Sequence, residues 1–454
     1  MLPDDTLLEI FDFYRLDAMM QPRASGRPWK WHRLAHVCRR WRLIISVSPR
    51  RLDLQILCKS GSSIERILAS WDILPLIVRF KGHPKTKSLP KNIATALCYP
   101  DRVREIDLGL TSTTVGSIVD AIKKPFQTLE YIRITIKDAT GSPLLFREGF
   151  LGGSAPLLRE ITLDGINFPF PEIKKVISST NNLVELNLSR ISESCYFSAD
   201  ALVTALSTSA QLRVLKVRFH YPASLPTQSR TSPPLQRTTF PSLVFFNFHG
   251  ASEYLEEFAS WVDFPALRHI TIGLFNQVFF EIPQFCRSIL LNTIKFPTEV
   301  MVIPSAKYVG ISIDQKGKHV AWRHCFLGTS CRRLDWQLSF VIQILNQVTP
   351  LLSGVRSLII NKPYELPTGE EDVDSTQWLE LFQPFAHARE FRAFEQLVPG
   401  IVQALVTEDM ATGVLPEVTQ LSLEGYGKSP AVVEAVEKFV AARKLLGRNV
   451  YLSK

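Results

Sequence analysis

The 454-residue chain has no Cys-x-x-Cys pair, no apolar run of 18 residues and little glycine, 22 residues in all. Its seven cysteines, Cys38, Cys58, Cys98, Cys195, Cys286, Cys325 and Cys331, are scattered and odd in number. That argues against a disulfide framework and for a reducing compartment, cytoplasmic or nuclear. Apolar stretches such as Leu338 to Leu345 stop well short of a membrane span, and Met1-Leu2-Pro3-Asp4-Asp5 has no basic region followed by an apolar one. Neither a membrane anchor nor a secretion signal is expected. G-x-x-x-x-G-K-[ST], G-x-G-x-x-G and G-x-S-x-G are all missing, which removes the usual support for nucleotide and hydrolase chemistry. The chain is therefore read as non-enzymatic and without a cofactor.

What is present is a large apolar fraction, 46% of residues, with 21% charged. The chain exceeds the roughly 250 to 300 residues at which single cores stop growing, so two units or one elongated array are expected. The net charge is a modest +9, but nine basic residues and no acidic one fall between Ala18 and Leu52: Arg23, Arg27, Lys30, Arg33, Arg39, Arg40, Arg42, Arg50 and Arg51. This run admits three readings, a solvated helix face, complementarity to an acidic partner, or nucleic-acid contact. Aromatic interleaving is limited to Trp29 and Trp31, so no nucleic acid is expected.

Other chemistry has little sequence support. His319, His324, Cys325 and Cys331 are the best metal candidates, but their spacing fits no zinc pattern, and no metal is expected. His36 and Cys38 stand two apart, which on a helix turns them away from each other, so Cys38 is read as a packed core or interface residue. Glu256 and Glu257, and Glu370 to Asp374, read as solvated surface, while the acidic Glu365 to Ser375 loop could either engage a basic target patch or solubilise a long insertion. The Pro, Ser and Thr-rich Pro222 to Thr239 segment, which contains Ser232-Pro233, reads as a loop.

Leu7, Ile10, Phe11 and Tyr14 recur at helical spacing behind Pro3, Asp4 and Asp5, which suit a helix start. After the loop-like Gln21 to Lys30, Leu34, Val37, Cys38, Trp41 and Ile45 repeat the spacing, predicting one second helix closed by Ser48-Pro49. Leu2-Pro3-Asp4-Asp5-Thr6-Leu7-Leu8-Glu9-Ile10-Phe11 followed by Leu34-Ala35-His36-Val37-Cys38-Arg39-Arg40-Trp41 resembles an F-box. The resemblance implies that residues 1–50 dock a Skp-type adaptor and, through it, a cullin ligase. Leu2, Pro3, Leu7, Ile10, Phe11, Leu34, Val37, Cys38 and Trp41 match the apolar positions of the motif, some facing its interior.

The rest of the chain, 51–454, repeats a phrase of apolar residues at i, i+3 and i+5. It occurs as Val103-Ile106-Leu108, Leu129-Ile132-Ile134, Leu158-Ile161-Leu163, Leu183-Leu186-Leu188, Leu212-Leu215-Val217, Leu243-Phe246-Phe248, Leu267-Ile270-Ile272 and Leu291-Ile294-Phe296, at intervals of 24 to 31 residues. Return helices are predicted at Val115 to Ile122, Phe170 to Ile177, Ala199 to Leu206 and Tyr254 to Trp261. The fold class expected is α/β: a helical F-box, then an irregular solenoid (horseshoe) like a leucine-rich repeat (LRR), with parallel strands on its concave side.

Among the phenylalanines, Phe246 and Phe248 are assigned to the core. Phe245 is assigned to the opposite face, where it or loop neighbours such as Phe275, Phe279 and Phe280 could anchor a ligand. After about residue 297 the register slips. Trp378-Leu379-Glu380-Leu381-Phe382-Gln383-Pro384-Phe385, Leu421-Ser422-Leu423-Glu424-Gly425 and Phe439 to Arg443 are similar to the C-terminal part of the large F-box families of mushroom-forming fungi, with Val432 to Leu446 as a capping helix. The resemblance implies a substrate receptor of an SCF-type ubiquitin ligase, binding an unidentified target protein; the rival expectation is an LRR-like interaction scaffold outside ubiquitination.

Overall fold

A computed structural model describes residues 2–19, 32–48, 52, 55–59, 64–71, 74–82, 89–119, 121–137, 149–165, 168–220, 236–275, 280–317, 320–361, 373–394, 397–407, 414–423 and 430–453. The chain is mixed α/β and divides into two units, 1–185 and 186–454.

The first unit opens with helices α1 (Asp4–Met19), α2 (His32–Ala35) and α3 (Arg39–Val47). Strands β1 (Ile56–Cys58), β2 (Leu76–Lys81), β3 (Val103–Leu110), β4 (Tyr131–Ile136) and β5 (Glu160–Asp164) follow, parallel and neighbouring in chain order. Between and after them come α4 (Ile64–Ser70), α5 (Lys91–Leu97), α6 (Ser112–Val119) and α7 (Phe170–Ser178).

The second unit contains β6 (Glu185–Ile191), α8 (Ala199–Leu206), β7 (Val214–Phe219), β8 (Thr238–Thr239), β9 (Phe245–Gly250), α9 (Ser252–Trp261), β10 (Val262–Asp263) and β11 (His269–Leu274). A broken helix comes next: α10 (Pro283–Phe285), a π turn over Cys286–Leu290, and α11 (Leu291–Thr293). Then follow β12 (Glu299–Pro304), β13 (Val309–Gly317), β14 (Val320–Thr329), α12 (Leu334–Leu352), β15 (Ser357–Ile360), α13 (Ser375–Phe382), β16 (Glu390–Ala393), α14 (Val398–Thr407), β17 (Gln420–Leu423), α15 (Pro430–Leu445) and β18 (Tyr451–Ser453).

The i, i+3, i+5 phrase has a structural meaning. In Leu158-Ile161-Leu163 the leading leucine lies just before β5, where its N–H closes a tight turn on Ala155 C=O at 3.1 Å; Ile161 and Leu163 are the buried alternate residues of the strand. The same turn precedes β7, β9 and β11, at Leu212, Leu243 and Leu267. Alternation sends the two strand residues to the face covered by helices. Phe246 stacks on Phe258 of α9 at 5.4 Å and Phe248 on Tyr254 at 5.6 Å.

Two expectations are corrected and a third is given its cause. Leu291-Ile294-Phe296 is not a strand: Leu291–Thr293 is helical, Ile294 is buried and Phe296 is exposed, because apolar residues at i and i+3 serve a helix as well as the phrase. The slip after residue 297 has a topological cause. β12 lies two strands beyond β11, and β13 and β14 fill the gap, β13 running antiparallel to both its neighbours. An up-down-up excursion needs an even number of added strands to regain the parallel direction, so β12 continues parallel with β15, β16, β17 and β18. Finally, α15 does not end the fold, since β18 follows and pairs with β17.

Candidate functional site

The N-terminal helices are held by a small interior and a few polar ties. The Leu7 N–H reaches Pro3 C=O at 3.1 Å as α1 begins, and Asp4 and Asp5 occupy the first turn, where the helix dipole favours them. Leu7, Leu8 and Phe11 are buried, Phe11 completely. The Phe11 ring meets Trp41 edge-on at 4.9 Å, and Ile44 and Ile45 complete the packing on α3. Arg40 donates to Asp4 Oδ1 from Nε at 3.0 Å and to Leu2 C=O at 2.6 Å, while Arg42 Nε donates to Ala35 C=O at 3.0 Å. Two arginines of the basic run thus tie the helices together, a role that charge counting alone missed.

The predicted single second helix is broken. Turns from His36 N–H to Arg33 C=O and from Val37 N–H to Leu34 C=O close α2. Cys38 is extended and caps α3, its Sγ accepting the Trp41 N–H at 3.4 Å. Cys38 is therefore an exposed helix cap and not a packed core residue. The break changes which side chains face inward.

Of the nine candidate positions, Leu7 and Phe11 are interior, Leu34 and Trp41 are half-buried, and Leu2, Pro3, Ile10, Val37 and Cys38 are exposed. Sequence reasoning missed further exposed apolar residues, Phe13 at 73% exposure, Leu43 and Val47. The signal was there: Ile10, Phe13 and Tyr14 stand at i, i+3 and i+4, as Leu43 and Val47 stand at i and i+4. Large apolar side chains are thus exposed at several positions of one short segment. The expected loop Gln21 to Lys30 lies outside the described residues.

In the second unit, the sheet face away from the helices carries a different set. Ser312 Oγ donates to Asp314 Oδ2 at 2.8 Å, and His324 Nδ1 faces Asp314 Oδ1 at 2.9 Å. Ser312 Oγ also lies 3.4 Å from that same Nδ1. A nucleophilic serine needs one imidazole nitrogen while the carboxylate holds the other; here one nitrogen faces both, so the trio is a fixed polar cluster. Cys325, beside His324 in the strand, points to the opposite face and is fully buried, which pushes its thiol well above the usual range. The metal candidates His324 and Cys325 therefore diverge, and His319 lies outside the described residues.

The aromatic candidates also separate: Phe275 and Phe280 are buried, Phe279 is outside the described residues, and Phe245 is half-buried on the open face with Lys216 Nζ 5.6 Å from its ring centre. Glu256 corrects the solvated-surface reading. It accepts the N–H groups of Gln284 and Phe285, both at 2.8 Å, at the start of α10, and burial raises its carboxyl above the usual range. Of the two expected loops, residues 221–235 and 362–372 lie outside the described residues, while Thr238 and Thr239 form β8 against β10. Among the described residues no helix is long and apolar enough to cross a membrane. No protein-family model matches the chain, and no curated protein matches its sequence.

Proposed function

We propose that this protein is a substrate-receptor subunit of an SCF-type ubiquitin ligase. The helical segment docks a Skp-type adaptor and through it the cullin ligase, and the LRR-like remainder, a solenoid built from the turn-strand-helix phrase, presents a target protein. The mechanism is positioning: a tethered target has its lysines at high effective concentration near the transferring enzyme. One observation carries the reading. In the order of an F-box, the segment splits its apolar residues into an inward set around Phe11 and an outward set, Leu2, Ile10, Phe13, Val37, Leu43 and Val47.

Co-purification with a Skp-type adaptor from a mushroom-forming fungus tests this. Wild type is expected to co-elute with the adaptor, and Ile10→Asp/Val37→Asp to lose it by at least about tenfold in affinity with unchanged melting, since both side chains are exposed. Absence of binding by folded wild type would turn the account toward an LRR-like scaffold outside ubiquitination.

A further inference from the structure

Positive charge in the second unit's sheet is concentrated on three neighbouring strands. Residues 207–220, 236–250 and 262–275 hold β7, β9 and β11 with the turns that lead into them, and carry Arg213, Lys216, Arg218, Arg237 and Arg268 against one carboxylate, Asp263. Asp263 lies 2.9 Å from Arg237, which leaves that pair neutral. Arg213 and Arg268 follow the leading leucines of their phrases, Leu212 and Leu267. Both are exposed, as is Arg218, and none of the three forms an ion pair with a described residue. The carboxylates of α8 and α9, Asp200, Glu253, Glu256 and Glu257, belong to the helix layer on the opposite face. The flanking strands bring Glu185 on β6 and Asp314 on β13, both already engaged. Farther along the sheet the same phrase position is filled by Arg356 and Arg389, but there Glu417 lies 3.9 Å from Arg389 and Glu390 lies 3.1 Å from Arg392.

Strand register fixes the spacing. Val244 N–H donates to Arg213 C=O at 2.9 Å, and Arg268 N–H to Val244 C=O at 3.0 Å, so the two arginines stand two strands apart, about 10 Å. Arg218 is five residues along β7 from Arg213, about 17 Å, and lies beside His249 in register. Cations of one sign on adjacent strands raise the local potential. The imidazoles between them respond: burial lowers His249 and His269 below their usual range, and Arg218 beside the first and His324 and Arg268 beside the second push the same way. Asn247 and Thr271, neighbours in register, add an amide and a hydroxyl to the middle of the face. One small anion cannot reach cations 10 to 17 Å apart, roughly two to five residues of extended chain, whereas a segment bearing several carboxylates can. A nucleic-acid strand would also ask for rings on which its bases stack. The one ring on this part of the face, Phe245, is half-buried and has Lys216 Nζ 5.6 Å from its centre.

We propose that this part of the face binds an acidic, extended segment of the target protein, whose aspartate and glutamate carboxylates pair with Arg213, Arg218 and Arg268. The inference rests on the substrate-receptor reading for the identity of its occupant. Its assay contains no adaptor, so the two can fail separately.

The test is selection of random 12-residue peptides displayed on phage against the immobilised full chain, followed by fluorescence polarisation with the best binder. Aspartate or glutamate enriched at two or more peptide positions is expected. Arg213→Gln/Arg218→Gln/Arg268→Gln should weaken binding of that peptide by at least about tenfold, while Arg356→Gln/Arg389→Gln, at the same phrase position before β15 and β16, leaves it unchanged. The three substituted side chains are exposed, and unchanged melting of the triple variant verifies the fold. Selected peptides without an acidic consensus, or acidic peptides whose affinity ignores the triple substitution, would overturn the assignment. So would a 12-nucleotide DNA single strand that binds through the same three arginines more tightly than the peptide, or failure to select any binder.

Discussion

The open sheet faces of the two units are built on the same strand grammar and carry different side chains. In the first unit Arg79, Asp107 and Arg133 follow one another in register, alternating in sign. Arg79 meets Glu105 at 3.3 Å, the Arg133 guanidinium lies 5.7 Å from the Tyr131 ring centre, and Lys137 Nζ donates to Gly82 C=O at 2.8 Å. That face satisfies its charges from within. In the second unit the described positions of this face on β11, β14, β13 and β12 are mostly rings, glycines, hydroxyls and two carboxylates, flanked by Lys216 and Arg218 on β7 and by the Arg392–Glu390 pair on β16 at 3.1 Å. The covered face sets the fold in both units, so the open face is free to diverge between them.

The comparison can be broken or sharpened by substitution. The largest effect is expected beneath the second face. Phe246→Ala removes a fully buried ring stacked on Phe258 and should cost about 3–5 kcal/mol in denaturant unfolding of the second unit. Next is Gly310→Ala, whose Cβ would meet the Phe326 ring; it forces that ring aside and should cost about 1–3 kcal/mol. The same substitution in a Phe326→Ala background should cost clearly less, and an equal cost would mean that the ring is not what the glycine accommodates.

Acid should separate the units in a smaller way. Burial lowers the folded-state pKa of His249 below its ordinary 6.5, so the unfolded chain binds the proton first and the second unit loses stability as pH falls below about 6.5. Glu172 in the first unit is held below its ordinary 4.5 by hydrogen bonds from Lys175 and from the Gly149 N–H. Its contribution is present above that value and is lost as pH falls further. Thermal melts between pH 7 and pH 5 should therefore lower the second unit's transition through His249, an effect abolished by His249→Gln, and leave the Glu172 contribution intact. Smallest is the Arg79–Glu105 pair. Its side chains are about 30% exposed, and a double-mutant cycle should return less than about 1 kcal/mol of coupling.

Much of this was legible in the sequence where burial is local and repeated. Seven i, i+3, i+5 phrases mark real strands, because a leucine at the turn and two alternate strand residues must all reach the same core. The phrase fails where another structure satisfies it, as at Leu291, or where small residues replace large ones, as at Ala388-Phe391-Ala393, which frames β16. The β13–β14 pair was read as a register slip because antiparallel pairing is a long-range fact with no trace in a single window. The helix break at Cys38 was hidden for a related reason: the stripe from Leu34 to Ile45 fits one helix as well as two. The glycine row on the second face was not legible at all. Gly273, Gly310 and Gly328 lie far apart in the chain, and only strand register makes them one row.

The division of labour between the N-terminal helices and the second unit's open face is most directly tested by measuring adaptor affinity and selected-peptide affinity on the same two proteins, Ile10→Asp/Val37→Asp and Arg213→Gln/Arg218→Gln/Arg268→Gln. The account predicts that the first loses the adaptor and keeps the peptide, and that the second keeps the adaptor and loses the peptide. Loss of both ligands by either folded variant, or retention of the adaptor by Ile10→Asp/Val37→Asp, would contradict it.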